Sequence, residues 1–168
     1  GFRVLRYDLF GHGYSSRPHL RRYNASLYDD QLSDLLSRLD ISGTVSLIGS
    51  SQGGSICARF AATHPQAVGE LALIAPFFDG FSGSAKTSLL RIPIIGEIVL
   101  RLVPDRAVLD LSGAVVDSGI RATLSQKLAQ QMRHADKRRA ILANLRGDAL
   151  RDATSVYATL AELNLESL

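Results

Sequence analysis

The chain has 168 residues, which is long enough for one domain with a buried core. Its formal net charge of +3 is small for that length and argues against a nucleic-acid-binding protein. The one cysteine, Cys57, excludes an internal disulfide and a cysteine-based metal cluster. The sequence contains no internal repeat and no Gly-x-Gly-x-x-Gly phosphate loop.

The chain begins with a predicted strand and a predicted tight loop. Gly1 to Asp8 alternates apolar and polar residues, which is typical of a β-strand. The segment from Asp8 onward reads D-L-F-G-H-G-Y-S-S-R-P, with one glycine on each side of His12. This spacing predicts a tight loop with positive φ angles at Gly11 and Gly13, and Pro18 ends it.

The next elements predict an α/β fold with a parallel sheet. A helix is predicted from Tyr28 to Leu39, because its apolar residues recur on one face. The apolar run Thr44 to Ile48 predicts a second, buried strand, and Leu71 to Ala75 predicts a third. Strands that alternate with helices in this way favour parallel pairing.

The five residues Gly49-Ser50-Ser51-Gln52-Gly53 form a G-x-S-x-G motif between the second strand and a predicted helix over residues 54–62. A serine on a sharp strand-to-helix turn projects its hydroxyl as a nucleophile. We expect the backbone of Ser51 to be strained, and Gly49 and Gly53 to remove side chains that would collide beneath the turn. The motif by itself also occurs by chance, and the flanking strand and helix give it the context it requires.

The second half of the chain is predicted to be almost wholly helical. Glycine and serine cluster near residues 79–86, and strand signals stop there. Residues 88–103 are the most apolar segment, but they are too short and too charged to span a bilayer comfortably. They form either a packed helical element, the wall of an apolar substrate pocket, or a surface that touches membrane. The basic residues Arg133 and 137–139 are interpreted as a solvated face.

Three motifs in order, D-L-F-G-H-G-Y-S-S-R-P, G-S-S-Q-G-G and H-P-Q-A-V-G-E-L-A-L-I-A-P, resemble those of the α/β-hydrolase fold family. The resemblance implies a partial core over residues 1–80, with three strands and the helix that follows the G-x-S-x-G motif (the elbow helix). It also implies a helical cap over residues 87–168. It also implies that Ser51 is the nucleophile and that the backbone N–H of Gln52 is an oxyanion-hole donor. Many relatives carry Met where this chain has Gln52.

The triad order implied by the resemblance is nucleophile, acid, histidine. Only His64 and His134 follow Ser51; the first is interpreted as the end of the elbow helix and the second as part of a polar helix. The catalytic histidine is therefore expected beyond Leu168, in a longer protein of which this chain would be a part. Asp79 is a candidate acid because it follows the third strand, although Asp-Gly is also a common turn dipeptide.

The resemblance implies a serine hydrolase that cleaves an ester or related acyl bond of a hydrophobic small molecule, as esterases and lipases do. The alternatives are a C–C bond or amide hydrolase of the same fold, and a non-catalytic ligand-binding relative. Epoxide and haloalkane hydrolases of this fold use an aspartate nucleophile, against which Ser51 argues. No cofactor, metal or nucleic acid is expected, membrane-surface contact is not favoured, and a cytoplasmic location is the default expectation.

Overall fold

A computed structural model describes residues 1–76, 85–104, 118–134, 136–149, 153–163 and 166–167. Seven α-helices are described in these ranges, namely α1 (Ala25–Arg38), α2 (Gln52–Thr63), α3 (Ala85–Arg91), α4 (Ile95–Leu102), α5 (Ser118–Met132), α6 (Lys137–Arg146) and α7 (Thr154–Glu162). The strands are β1 (Val45–Ser50), β2 (Val68–Ile74) and β3 (Glu166–Ser167), and a 3₁₀ turn covers Pro65–Ala67. The chain divides into two compact units, Gly1–Arg21 with Ala85–Ala143 and Arg22–Ser84 with Asn144–Leu168.

The unit Arg22–Ser84 with Asn144–Leu168 contains the sheet. Its strands are all parallel, in the order β1, β2, β3, with Leu47 opposite Leu71 and Ser50 opposite Ile74. Parallel strands need a crossover between them, and α2 provides the crossover from β1 to β2. The parallel sheet with flanking helices confirms the predicted α/β class.

Helix α2 is the centre of packing in this unit. It lies on β1 and β2, and both α1 and α7 pack against it. Small and apolar residues face these neighbours, and the buried ones include Ile56, Ala58, Phe60 and Ala61 of α2 and Tyr28 and Leu32 of α1. The helix that presents Ser51 at its start is therefore fixed on several sides by apolar contacts.

The first strand predicted from the sequence is not observed. Residues 1–9 are outside the sheet, which consists of β1, β2 and β3 in the described part of the chain. The side chains of Phe2 and Val4 are 95% and 88% exposed. Alternating polarity produces a strand only where a neighbouring strand supplies ladder hydrogen bonds, and no such neighbour is described here.

The strand predicted over residues 44–48 is observed as β1, but it is only partly buried. Leu47 is buried, whereas Ile48 is 74% exposed and Ile74 at the end of β2 is 57% exposed. Side chains alternate between the two faces of a strand, and α2 covers only one of those faces. The apolar run over residues 44–48 did not distinguish a strand covered on one face from a strand covered on both.

In its described residues, the unit Gly1–Arg21 with Ala85–Ala143 has an N-terminal loop segment followed by α3, α4, α5 and most of α6. Helices α3 and α4 pack against each other and form most of the apolar segment over residues 88–103. Leu100 is buried there, whereas Ile98 and Leu102 are exposed. None of the helices described in either unit is long and apolar enough to cross a bilayer.

The two units are not continuous in sequence. Residues Asn144–Leu168 group with the sheet, because α7 packs on α2 and β3 pairs with β2. The predicted division placed all of residues 87–168 in one helical region. That this region acts as a cap stays a prediction.

Candidate functional site

Ser51 lies at a sharp turn between β1 and α2. Its φ is 53° and its ψ is −121°, and its side chain is exposed. A residue with a side chain costs on the order of 1–3 kcal/mol in such a conformation, which persists only where the surrounding contacts hold it. The strained turn predicted from the motif is confirmed at this residue.

Main-chain hydrogen bonds hold the turn on both sides. The Ser51 N–H donates to the Ile74 carbonyl at the end of β2, at 2.9 Å. The Ser55 N–H donates to the Ser51 carbonyl at 3.2 Å and closes the first turn of α2. Sheet and helix together thus fix the backbone of Ser51, which is how the strain is sustained.

Glycine is required at the turn, although not at both of the predicted positions. A Cβ on Gly49 would collide with the backbone of Gly53 and would lie 2.7 Å from the Gly54 nitrogen. A Cβ on Gly54 would lie 2.9 Å from the Cβ of Pro76. A Cβ on Gly53 would meet nothing within 4 Å. The steric reason predicted for Gly49 is therefore confirmed. The one predicted for Gly53 is wrong, because the backbone of Gly53 lies close to Gly49 whereas the Cβ direction of Gly53 is open.

Gln52 is the first residue of α2, directly after Ser51. The first N–H groups of a helix have no acceptor within the helix, and the helix dipole makes that end partly positive. The arrangement can therefore stabilise negative charge that develops beside the Ser51 hydroxyl. The side chain of Gln52 is occupied elsewhere.

The Gln52 carboxamide forms a reciprocal pair with Asn144 of α6. Gln52 Nε2 donates to Asn144 Oδ1 at 3.2 Å, and Asn144 Nδ2 donates to Gln52 Oε1 at 3.1 Å. The Tyr28 hydroxyl also donates to Asn144 Oδ1, at 3.1 Å. The sequence analysis predicted neither Asn144 as the partner of Gln52 nor Tyr28 as the partner of Asn144. The available signal was a polar residue at position 144 inside the apolar helical run that includes Leu142 and Leu145.

None of the four histidines forms a hydrogen bond with Ser51 in the described structure. His64 ends α2 as predicted: its backbone N–H donates to the Phe60 carbonyl at 2.7 Å, and its ring stacks on Phe60. His134 is exposed, and His19 lies 3.7 Å from Asp136. Burial, followed by the charge of Lys137, lowers the pKa of His12.

Asp79, the candidate acid, lies outside the described residues. Among the residues that are described, no group of three or more His, Cys, Asp or Glu side chains is placed to hold a metal ion. Burial raises the pKa of the Cys57 thiol to about 11, so this thiol stays protonated and is a poor nucleophile.

The loop at residues 8–16 has the predicted glycine conformations. Gly11 and Gly13 have φ angles of 83° and 48°. The Gly11 N–H donates to the Ser16 carbonyl, and the Asp8 carboxylate accepts from the Tyr14 N–H, each at 2.9 Å. A Cβ on Gly13 would collide with the Asp8 carboxylate. The loop therefore needs glycine for its angles and, at position 13, also for space.

The basic residues at the start of α6 are not a solvated face, contrary to the prediction. The Lys137 ammonium is buried and donates to the Gly11 carbonyl at 2.9 Å. The Arg139 guanidinium donates to the Arg17 and Pro18 carbonyls, both at 2.6 Å. Burial, together with the charge of Arg17, lowers the pKa of Lys137 to about 8. Charge count alone could not distinguish carbonyl-binding side chains from hydrated ones.

Comparison with known sequences finds both a family and individual relatives. The profile of the α/β-hydrolase fold family matches residues 1–158. A protein of uncharacterised function from Mycobacterium tuberculosis is 36% identical over 106 residues, which cover 56% of this chain and 30% of that protein. The 2-hydroxymuconate semialdehyde hydrolase of Pseudomonas sp. is 38% identical over 72 residues, 43% of this chain and 25% of the enzyme. The matches thus span less than a third of these curated relatives.

Solved structures with the same fold include several hydrolases. A hydrolase from Pseudomonas aeruginosa matches with a TM-score of 0.72 and 21% identity, over 99% of this chain and 60% of that one. A thermophilic esterase from Thermogutta terrifontis matches with a TM-score of 0.70 and 22% identity, over 95% of this chain and 57% of the esterase. A haloalkane dehalogenase from Agrobacterium tumefaciens matches with a TM-score of 0.67 and 22% identity, over 93% of this chain and 55% of the dehalogenase. At these identities the likeness establishes the fold.

Proposed function

Because the chain belongs to the α/β-hydrolase fold family, we propose that its protein is a serine hydrolase in which Ser51 is the nucleophile. The observation that carries the proposal is the conformation of Ser51. A serine with φ 53° and ψ −121° is strained, exposed and held at the start of α2. Strain of this kind clusters at active sites, and no structural need of the fold calls for a serine side chain there.

In the proposed reaction the Ser51 hydroxyl oxygen attacks the carbonyl carbon of an ester. A base takes the serine proton and then delivers it to the leaving alcohol, and water hydrolyses the acyl-enzyme by the same steps. The Gln52 N–H holds the oxyanion of the tetrahedral intermediate. The proposed base is a histidine beyond Leu168, and the acid that orients it is Asp79 or a later carboxylate.

The proposed substrate is a hydrophobic small molecule with an acyl bond. The apolar composition of residues 88–103, the most apolar segment of the sequence, supports this assignment. A segment of this composition would suit an apolar substrate better than a charged one. The substrate class is proposed from the composition of the segment, and an ester or related acyl bond is the proposed target of the serine nucleophile.

A fluorophosphonate probe on the full-length protein tests the proposal. We expect covalent labelling of the wild type and complete loss of labelling in Ser51→Ala. Ser50→Ala is the matched control, because Ser50 is the adjacent exposed serine at the end of β1 and should leave labelling unchanged. An unlabelled wild type, or labelling that persists in Ser51→Ala, would overturn the proposal.

The second candidate is a hydrolase of C–C bonds that uses the same nucleophile. It is favoured by the 38% identity to a 2-hydroxymuconate semialdehyde hydrolase over 72 residues. Turnover of 2-hydroxymuconate semialdehyde should be compared with turnover of p-nitrophenyl esters of increasing chain length. Faster turnover of the semialdehyde would replace the ester assignment, and binding of either compound without turnover would favour a non-catalytic relative.

A further inference from the structure

We propose that Asn144 is a positioning residue for the oxyanion-binding end of α2 and that it acts through the side chain of Gln52. The inference rests on the proposed function, because it takes the Gln52 N–H as an oxyanion donor. The motif G-x-S-x-G leaves the residue after the serine open, so the partner of that side chain is a property of this chain.

The geometry of the pair fixes the orientation of Gln52. Its carboxamide donates to Asn144 Oδ1 and accepts from Asn144 Nδ2, at 3.2 and 3.1 Å. Two such bonds between planar amides fix both the position and the plane of the side chain, as one bond cannot. A glutamine loses considerable rotational freedom when it is ordered in this way, so the contact needs both bonds to be favourable.

Asn144 is itself held in place. It is 7% exposed, and its Oδ1 also accepts from the Tyr28 hydroxyl of α1 at 3.1 Å. Burial raises the pKa of Tyr28 above its ordinary value, so the phenol remains protonated and remains a donor. Gln52 is thus tethered through Asn144 to a buried residue of α1.

The tether acts on the group that would bind the oxyanion. Gln52 is the first residue of α2, and the peptide that carries its N–H joins it to the strained Ser51. Ser51 fixes one side of that peptide through the bond from its N–H to the Ile74 carbonyl. The Asn144 pair fixes the other side. Without it, the peptide can relax part of the strain by tilting, and hydrogen bonds weaken steeply as they bend.

Stability alone does not explain an amide pair at this place. Replacing both members of a buried hydrogen-bonded pair by apolar groups of similar shape is close to neutral for folding. Replacing only one leaves its partner unsatisfied and destabilises the protein. Removing both members together with the Tyr28 hydroxyl that donates to Asn144 Oδ1 therefore separates orientation from stability, since no buried donor or acceptor of the cluster is left unsatisfied.

The test compares full-length Tyr28→Phe, as the reference that keeps the amide pair, with the triple variant Tyr28→Phe, Gln52→Met, Asn144→Leu. We expect the triple variant to melt at the temperature of the reference, with kcat for a p-nitrophenyl ester lowered about tenfold and KM within about twofold. The rate of fluorophosphonate labelling should fall in parallel with kcat. Thr63→Val, at the opposite end of α2, is the control for a lost side-chain hydrogen bond and should leave kcat and KM unchanged.

The outcomes separate the two proposals. A labelled wild type with an unchanged kcat in the triple variant would overturn the role of Asn144 and leave the serine hydrolase in place. A raised KM with an unchanged kcat would also overturn it, because the pair would then shape the binding pocket. A wild type that is neither labelled nor active would overturn both proposals together.

Discussion

The turn at Ser51 and the loop at residues 8–16 both contain left-handed backbone, but they are built in different ways. The loop has glycine at its left-handed positions, Gly11 and Gly13, whereas the turn has a serine. Main-chain contacts hold the turn, which bonds to β2 through the Ile74 carbonyl. In the loop, charged side chains supplement the local main-chain bonds, since Asp8 accepts from a loop N–H and Lys137 donates to a loop carbonyl.

The difference shows two solutions to one conformational problem. Glycine removes the strain of a positive φ, and the loop then needs side-chain hydrogen bonds to define its shape. The Ser51 turn retains the strain and relies on a rigid sheet and helix to sustain it. The turn should therefore be sensitive to volume and insensitive to pH, whereas the loop should respond to pH.

The largest effect is expected where the turn has no space. Gly49→Ala should lower the free energy of unfolding by about 2–4 kcal/mol, because its Cβ would collide with main-chain atoms of Gly53 and Gly54 that cannot move separately. Urea unfolding of each variant measures this. Gly53→Ala is the matched control and should be neutral or stabilising by up to about 1 kcal/mol, because its Cβ direction is open and alanine favours helix. Equal losses in the two variants would contradict the steric account.

A pH-dependent effect is expected in the loop. Burial, and then the charge of Arg17, lowers the pKa of Lys137 from 10.5 to about 8, so between those pH values the unfolded chain binds more protons than the folded protein. Stability should therefore rise with pH across this window. Between pH 8 and pH 10.5, the free energy of unfolding of the wild type should rise by about 1–3 kcal/mol relative to that of Lys137→Met. Unfolding of both proteins below pH 8 and above pH 10.5 measures the gain, and a difference that does not change with pH would show that Lys137 titrates normally.

A smaller effect is expected from the glycine that faces Asp8. Gly13→Ala should cost about 1–2 kcal/mol, through the positive φ of 48° and through displacement of the Asp8 carboxylate. Gly43→Ala is the control, because Gly43 has a φ of +87° with nothing near its Cβ direction. The difference between the two variants in thermal unfolding isolates the Asp8 contact. No difference would mean that the carboxylate moves away without cost.

The smallest effect is a gain in stability at the turn. Ser51→Gly should stabilise the fold by about 1 kcal/mol, because glycine adopts a φ of 53° without strain and this relief exceeds its added entropy in the unfolded chain. Ser51→Ala retains the strain and should unfold like the wild type. Calorimetric melting of the two variants distinguishes them, and an unstabilised Ser51→Gly would argue that the turn stores little strain.

The sequence predicted the site best where local chemistry decides the structure. The turn at Ser51, the glycine angles of the loop and the end of α2 at His64 depend on neighbouring residues, and all three are confirmed. Interactions between distant residues could not be predicted in the same way. The pairing of Gln52 with Asn144 and of Lys137 with the Gly11 carbonyl joins residues that only the folded chain brings together.

The same limit explains the errors at residues 1–8 and in β1. Alternation and apolarity describe what a strand can bury, and they do not specify which neighbours are present to pair with it or to cover it. Phe2 is therefore exposed outside the sheet, and Ile48 is exposed within it.

The Ser51 backbone is bonded through its own main-chain groups and not through its side chain, and this makes the side chain exchangeable. The bonds from Ser51 N–H to Ile74 and from Ser55 N–H to the Ser51 carbonyl do not depend on what the Cβ carries. Ser51→Cys would place a thiol at the position of the hydroxyl, in the same exposed setting at the start of α2. That helix end would favour the thiolate, so the turn would become a site for selective alkylation and for attaching a spectroscopic reporter.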